Sequence, residues 1–120
     1  MKIAIVTDST ADLPREVVEQ HRIQVVPLYI NIGEESYLDG VDMTRAQFYE
    51  GLPGFKKPPT TAVPGIDAFL GAFNRAIESG AEAIISLHIS KTLSNTVDVA
   101  RLAAERIKLI PVHVLDTGNL

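Results

Sequence analysis

The chain predicts an α/β domain: a mainly parallel sheet with helices on both of its faces. Two apolar, β-branched runs, Ile3 to Val6 and Ala83 to Ile89, each lead into a hydroxyl-rich turn and then a helix. The full order reads strand, helix, strand, helix, helix, strand, helix, strand, as expected of parallel strands joined by right-handed crossovers. With 120 residues and 46% hydrophobic content, the chain is long enough to bury one core, so a single domain over residues 1–120 is expected.

The elements follow from local chemistry. Lys2 to Thr7 alternates little and is rich in Ile and Val, which suits a strand buried on both faces. Pro14 fits the first turn of a short helix that runs to His21, with Leu13, Val17 and Val18 as its inward stripe. Ile23 to Ile32 is β-rich but interrupted by Pro27, which removes a ladder donor and marks an edge or a break. Glu34 to Leu38 adds a short extended piece before the Asp39-Gly40 turn. Thr44-Arg45-Ala46-Gln47 is spaced as a capping box, which predicts a helix from Arg45 to Leu52.

Pro53 to Pro64 holds four of the seven prolines and reads as an extended loop. Ile66, Phe69, Leu70, Phe73 and Ile77 recur at helical spacing, and Gly80 supplies the stop. Then come a strand from Glu82 to Ile89 and a helix from Leu93 to Ile107, whose buried face is Leu93, Val97, Ala100, Ala104 and Ile107. Pro111 to Leu115 forms a last strand.

Composition removes several function classes. Cysteine is absent, so disulfides and thiolate metal sites are excluded, and a reducing compartment is compatible. Apolar runs fall far short of the ~20 residues a membrane span needs, and Met1-Lys2 leads straight into a strand, so a cytoplasmic protein without a leader is the expectation. A net charge of -4 with scattered basic residues argues against nucleic-acid binding. Lys56-Lys57 reads as a solvated loop tip.

The chemistry-bearing residues gather in the turns. Ser90-Lys91-Thr92-Leu93-Ser94-Asn95-Thr96 follows one apolar run, and Asp8-Ser9-Thr10-Ala11-Asp12-Leu13-Pro14 follows another. Such turns aim hydroxyls and unpaired helix-start N–H groups at one point, which suits a small anionic group. At the carboxyl ends of parallel strands they form a binding edge. Capping is the competing role for Ser94 and Thr96, turn chemistry for Thr60 and Thr61, and bracing of the first helix for Ser9 and Thr10. Asp8 and Asp116 end predicted strands and read as loop braces rather than metal ligands. His21, His88 and His113 show no metal-ligand spacing, and no cofactor is called for.

The motifs Asp8-Ser9-Thr10-Ala11-Asp12-Leu13-Pro14, Val26-Pro27-Leu28, Tyr37-Leu38-Asp39-Gly40-Val41-Asp42, Pro59-Thr60-Thr61 and Ile89-Ser90 with Leu93-Ser94-Asn95-Thr96 occur in the order and spacing of the DegV family, which the chain resembles along its whole length. The resemblance implies a two-domain, non-catalytic fatty-acid-binding protein of bacterial type. It would hold a long-chain acid such as palmitate or oleate and present its carboxylate to a separate fatty acid kinase, in the service of phospholipid metabolism. The family pattern Thr-Ser-Gln-Pro falls on Thr61-Ala62-Val63-Pro64, and Leu-Ser-Gly-Thr falls on Leu93-Ser94-Asn95-Thr96. Thr61 and Ser94 thus match the carboxylate-binding hydroxyls, with Thr60, Asn95, Thr96, Ser9 and Thr10 as neighbours in the implied ligand site. Ala62 and Val63 replace a polar pair, and Asn95 replaces a glycine that permits close ligand approach. The chain is similar to the amino-terminal domain alone, without the second domain that helps enclose the acyl chain.

Magnitudes divide the work of binding. A hydrogen bond to a charged group contributes about 1.5–3 kcal/mol, enough for Thr61, Ser94 and helix-start amides to offset desolvation of a carboxylate. Each buried methylene contributes about 0.8 kcal/mol, so the tail dominates affinity, with Phe69, Phe73 or Leu93 as candidate channel walls. A phosphate or sugar-phosphate binding or phosphotransfer module is the alternative, though no glycine-rich cradle is present. A serine hydrolase, with Ser94 activated by His88, is a further alternative that lacks a Gly-x-Ser-x-Gly elbow.

Overall fold

The computed structural model describes residues 2–11, 13–32, 35–38, 41, 47, 50–51, 60–88 and 95–116. Among these, seven strands form two sheets. The larger sheet takes β1 (Ile3–Asp8), β2 (Gln24–Val26), β6 (Ala83–His88) and β7 (Val112–Asp116), all parallel, in the order β2-β1-β6-β7. The smaller is antiparallel: β3 (Tyr29–Ile32) sits between β4 (Glu35–Leu38) and β5 (Thr60–Ala62). The larger sheet is the expected parallel one.

Pro27 is a break rather than an edge residue inside one strand. It divides the Ile23–Ile32 run into β2 and β3, which belong to different sheets. β5 lies within the stretch read as an extended loop, and its backbone pairs with Ile30 and Asn31 of β3. The predicted 45–52 helix lies mostly outside the described residues; Gln47, Glu50 and Gly51 within it are helical.

Among the described residues, three helices flank the larger sheet: α1 (Arg15–His21), α2 (Ile66–Glu78) and α3 (Thr96–Glu105). On one face, Val6 and Ile84 pack with Val26, Phe69, Ala72, Phe73, Ala76, Ala100 and Ala103 from the neighbouring strand, α2 and α3. Burying each Phe contributes about 1.5–3 kcal/mol, so this face carries most of the core. The opposite face is more open. Ile3 is 50% exposed and Leu115 47%, and α1 has no buried residue. The expectation that the first strand is buried on both faces holds for its second half, where Val6, Thr7 and Asp8 are all buried, and fails at its start, where Ile3 is half exposed; among the described residues, α1 stands over that second face near Ile5 and Thr7.

Helix ends follow backbone chemistry. Gly80 at φ 95° closes α2, with its N–H bonding to Ile77 O at 2.9 Å and the Ala81 N–H to Ala76 O at 3.1 Å. Arg22 closes α1 in the same left-handed region, at φ 53°, a conformation that strains a residue with a Cβ. α3 begins at Thr96, three residues later than the pattern of apolar residues predicts, and ends at Glu105 rather than Ile107.

Candidate functional site

Because β1, β2, β6 and β7 run parallel, their carboxyl ends share one edge of the sheet. A 3-10 turn, Ser9–Ala11, leaves the tip of β1, and two residues separate the end of β2 from the start of β3. Thr61 pairs with Ile30, one register step from the Tyr29–Ala62 pair, so β5 lies close to the tip of β2. The fold thus brings Ser9, Thr10, the β5 backbone and the start of α3 to the same side.

The predicted residues fare differently. Ser9 is buried, and its Oγ accepts the Leu28 N–H at 3.0 Å, which ties the turn after β1 to the β2–β3 junction. Thr10 lies in the 3-10 turn, and Thr60 and Thr61 in β5, by backbone; their side chains fall outside what is described. Ser94 lies outside the described residues. Asn95 is exposed at φ −85°, where any residue sits comfortably, so its replacement of a glycine costs the backbone nothing here. It makes no side-chain cap bond. Thr96 is buried as the first residue of α3 rather than its cap.

Phe69 and Phe73 are both 0% exposed, with ring centroids 6.3 Å apart in the core, so neither lines an open channel. Apolar space occurs elsewhere. A hollow of about 330 Å³ opens beside α1, lined by Ile5, Thr7, Leu13, Val17, Ile23 and Leu87 among others, and its size falls within the range of small-ligand pockets.

A polar chain that the sequence reading missed lies at the strand tips. The His88 imidazole bonds through Nδ1 to Asp8 Oδ2 at 2.5 Å and through Nε2 to Ser86 Oγ at 2.6 Å. Asp8 is 1% exposed, His88 2% and Ser86 0%. A carboxylate can only accept, so Nδ1 donates to Asp8. The Phe69 and His88 rings pack edge to face, with centroids 5.5 Å apart and planes at 82°. Parallel register is the signal that finds this link: Thr7 opposes Leu87, so the next pair is Asp8 and His88, and Ser86 shares their face two residues back.

The arrangement resembles a hydrolytic Ser-His-Asp triad in distance but not in access. Ser86 sits inside β6 with no exposed surface, so its hydroxyl meets no substrate, and the two ring nitrogens of His88 are engaged by Asp8 and Ser86. Asp8 is held by an imidazole, a partner its place at a strand end did not suggest. Among the described residues, no group of three His, Cys, Asp or Glu side chains is arranged to hold a metal ion. None of the described helices is long and apolar enough to cross a membrane.

Comparison with known proteins gives consistent matches. The profile of a family described as "Uncharacterised protein, DegV family" matches residues 2–120. A DegV domain-containing protein of Streptomyces coelicolor is 40% identical over 118 residues, covering 98% of this chain and 41% of its own length. A solved structure described as fatty acid binding of a DegV family protein from Thermus thermophilus superposes with a TM-score of 0.87 at 37% identity, over 99% of this chain and 42% of that one. A stearic acid-binding protein from Eubacterium ventriosum gives 0.85 at 30% identity, over 99% and 42%. The chain thus spans less than half the length of these proteins.

Proposed function

We propose that this chain, which belongs to the DegV family, binds a long-chain fatty acid as the amino-terminal domain of a non-catalytic carrier. The observation that carries the reading is the likeness over nearly the whole chain to DegV proteins described as binding fatty acids. In this reading Thr61 and Ser94 hold the carboxylate, helped by helix-start amides near Asn95 and Thr96, while Thr60, Ser9 and Thr10 shape the edge around them. Neutral donors suffice to orient a head group, and burial of methylenes supplies most of the affinity. The apolar hollow beside α1 supports the reading by placing greasy surface next to the polar edge. A second domain completes the enclosure, and the held carboxylate is offered to a fatty acid kinase.

The test is native mass spectrometry of the protein purified without added lipid, together with thermal unfolding in the presence of palmitate or oleate. A fatty-acid adduct, or a rise in melting temperature with either acid, is expected. Absence of both overturns the assignment, and competition by inorganic phosphate or a sugar phosphate redirects it to a phosphate-binding module.

A further inference from the structure

We propose that the outer edge of β7 is a pairing surface for a second copy of this chain, the two β7 strands running antiparallel about a two-fold axis at His113 and joining the two parallel sheets into one. Among the described residues β7 is an outer strand of the larger sheet, in unbroken register with β6 over Val112–Asp116. In a parallel ladder alternate residues turn both backbone groups toward the same neighbour. The Ile84 N–H donates to Pro111 O at 3.0 Å, so Pro111, His113 and Leu115 face β6, and Val112 and Val114 turn their N–H and C=O groups outward. An edge of this kind is a template for another strand, and proteins blunt it with lysine, internal proline or a bulge. The β7 sequence, Val-His-Val-Leu-Asp, carries none of these.

The edge is complementary to itself. A two-fold at His113 sets Val112 of one copy opposite Val114 of the other, and each such pair exchanges both of its N–H···O bonds. The same register lays Leu115, 47% exposed, over the exposed Pro111 of the other copy, an apolar cross-strand contact on the open face of the sheet. Beside the edge runs a groove that α3 lines with Arg101 and Glu105, one turn apart along one flank of the helix. The axis that reverses β7 also reverses α3, so the cation of each copy is turned toward the anion of the other. Arg101 stands 3.9 Å from Asp98 of its own helix, both about half exposed, a surface pair weak enough to be shared. An unrelated strand would satisfy the backbone alone, whereas a second copy also answers the charges.

Proline at position 114 separates this interface from any other. The N–H it removes is one that β7 turns outward, so Val114→Pro keeps the ladder to β6 and deletes a bond that only the dimer makes. In analytical ultracentrifugation the native chain is expected to sediment with the mass of two chains, and Val114→Pro with the mass of one and an unchanged far-ultraviolet circular dichroism spectrum. Arg101→Glu is expected to weaken the dimer several-fold, and Arg101→Glu/Glu105→Arg to restore it, a readout that stands even if the proline variant does not fold. Amide exchange followed by NMR is expected to show the Val112 and Val114 N–H groups protected in the dimer and released on dilution. A native chain that keeps the mass of one at millimolar concentration overturns the proposal, whether those amides exchange freely or are covered by the chain itself. So does a dimer that neither Val114→Pro nor Arg101→Glu weakens. None of these outcomes depends on the fatty-acid reading.

Discussion

Replacing His88 by phenylalanine is the most informative single perturbation of the fold. Phenylalanine keeps a ring against Phe69 but removes both nitrogens, and with them the 2.5 Å bond to Asp8 and the 2.6 Å bond to Ser86. Losing a hydrogen bond to a buried carboxylate costs about 1.5–3 kcal/mol, and loss of the Ser86 bond adds about 1 kcal/mol. Against a total stability of about 5–15 kcal/mol, that is a large fraction. At roughly 4 °C per kcal/mol for a domain of this size, the melting temperature falls by roughly 10–16 °C. Far-ultraviolet circular dichroism during heating reads this directly. Asp8→Ala/His88→Phe, which removes the carboxylate too, costs less than the sum of the single variants, with a coupling of about 0.5–3 kcal/mol. A loss below about 1 kcal/mol for His88→Phe, with additive behaviour in the double variant, refutes the reasoning.

Three other predictions follow from local geometry. Ser9→Ala removes the acceptor of the buried Leu28 N–H and is expected to cost about 1–3 kcal/mol, visible as a lower denaturation midpoint in urea; an unchanged midpoint contradicts the brace. Arg22→Gly relieves a left-handed residue and stabilises by about 1 kcal/mol, whereas Gly80→Ala imposes that strain and destabilises by a similar amount, so shifts of the same sign in the two variants count against the account. The Tyr37 hydroxyl donates to the Glu35 carboxylate, and that bond, with burial and the carboxylate charge, raises its pKa above 10.0. A raised value favours the protonated phenol, so its contribution to stability is present below pH 10 and is lost as pH rises through the folded value. Absorbance titration is expected to move toward lower pH in Glu35→Gln, and an identical curve for both proteins shows that the bond does not form in solution.

Much of this architecture was legible because burial writes a period into the chain. Ile66, Phe69, Leu70, Phe73 and Ile77 mark α2 because a helix with one face on the core must repeat apolar residues every three or four positions. Gly80 marks its end for a steric reason that holds in any protein. The small antiparallel sheet was harder to read, since β5 is three residues long and leaves too little pattern to separate a strand from an extended loop. The buried polar chain was harder still. Asp8 and His88 are 80 positions apart, and each alone looks like an ordinary strand end; only the pairing of β1 with β6 brings them into contact. The sparse cover over Ile3 and Leu115 was also missed, because an Ile- and Val-rich run reads the same whether one face is packed or both.

The central claim is that neutral donors at the strand tips hold a fatty acid by its carboxylate, and the affinity for oleate of Thr61→Ala and Ser94→Ala variants tests it most directly. Calorimetry is expected to show each substitution weakening oleate by about ten-fold or more, the equivalent of a hydrogen bond to a charged group, with the circular dichroism spectrum unchanged. Equal affinity for oleate in the native protein and both variants contradicts the claim.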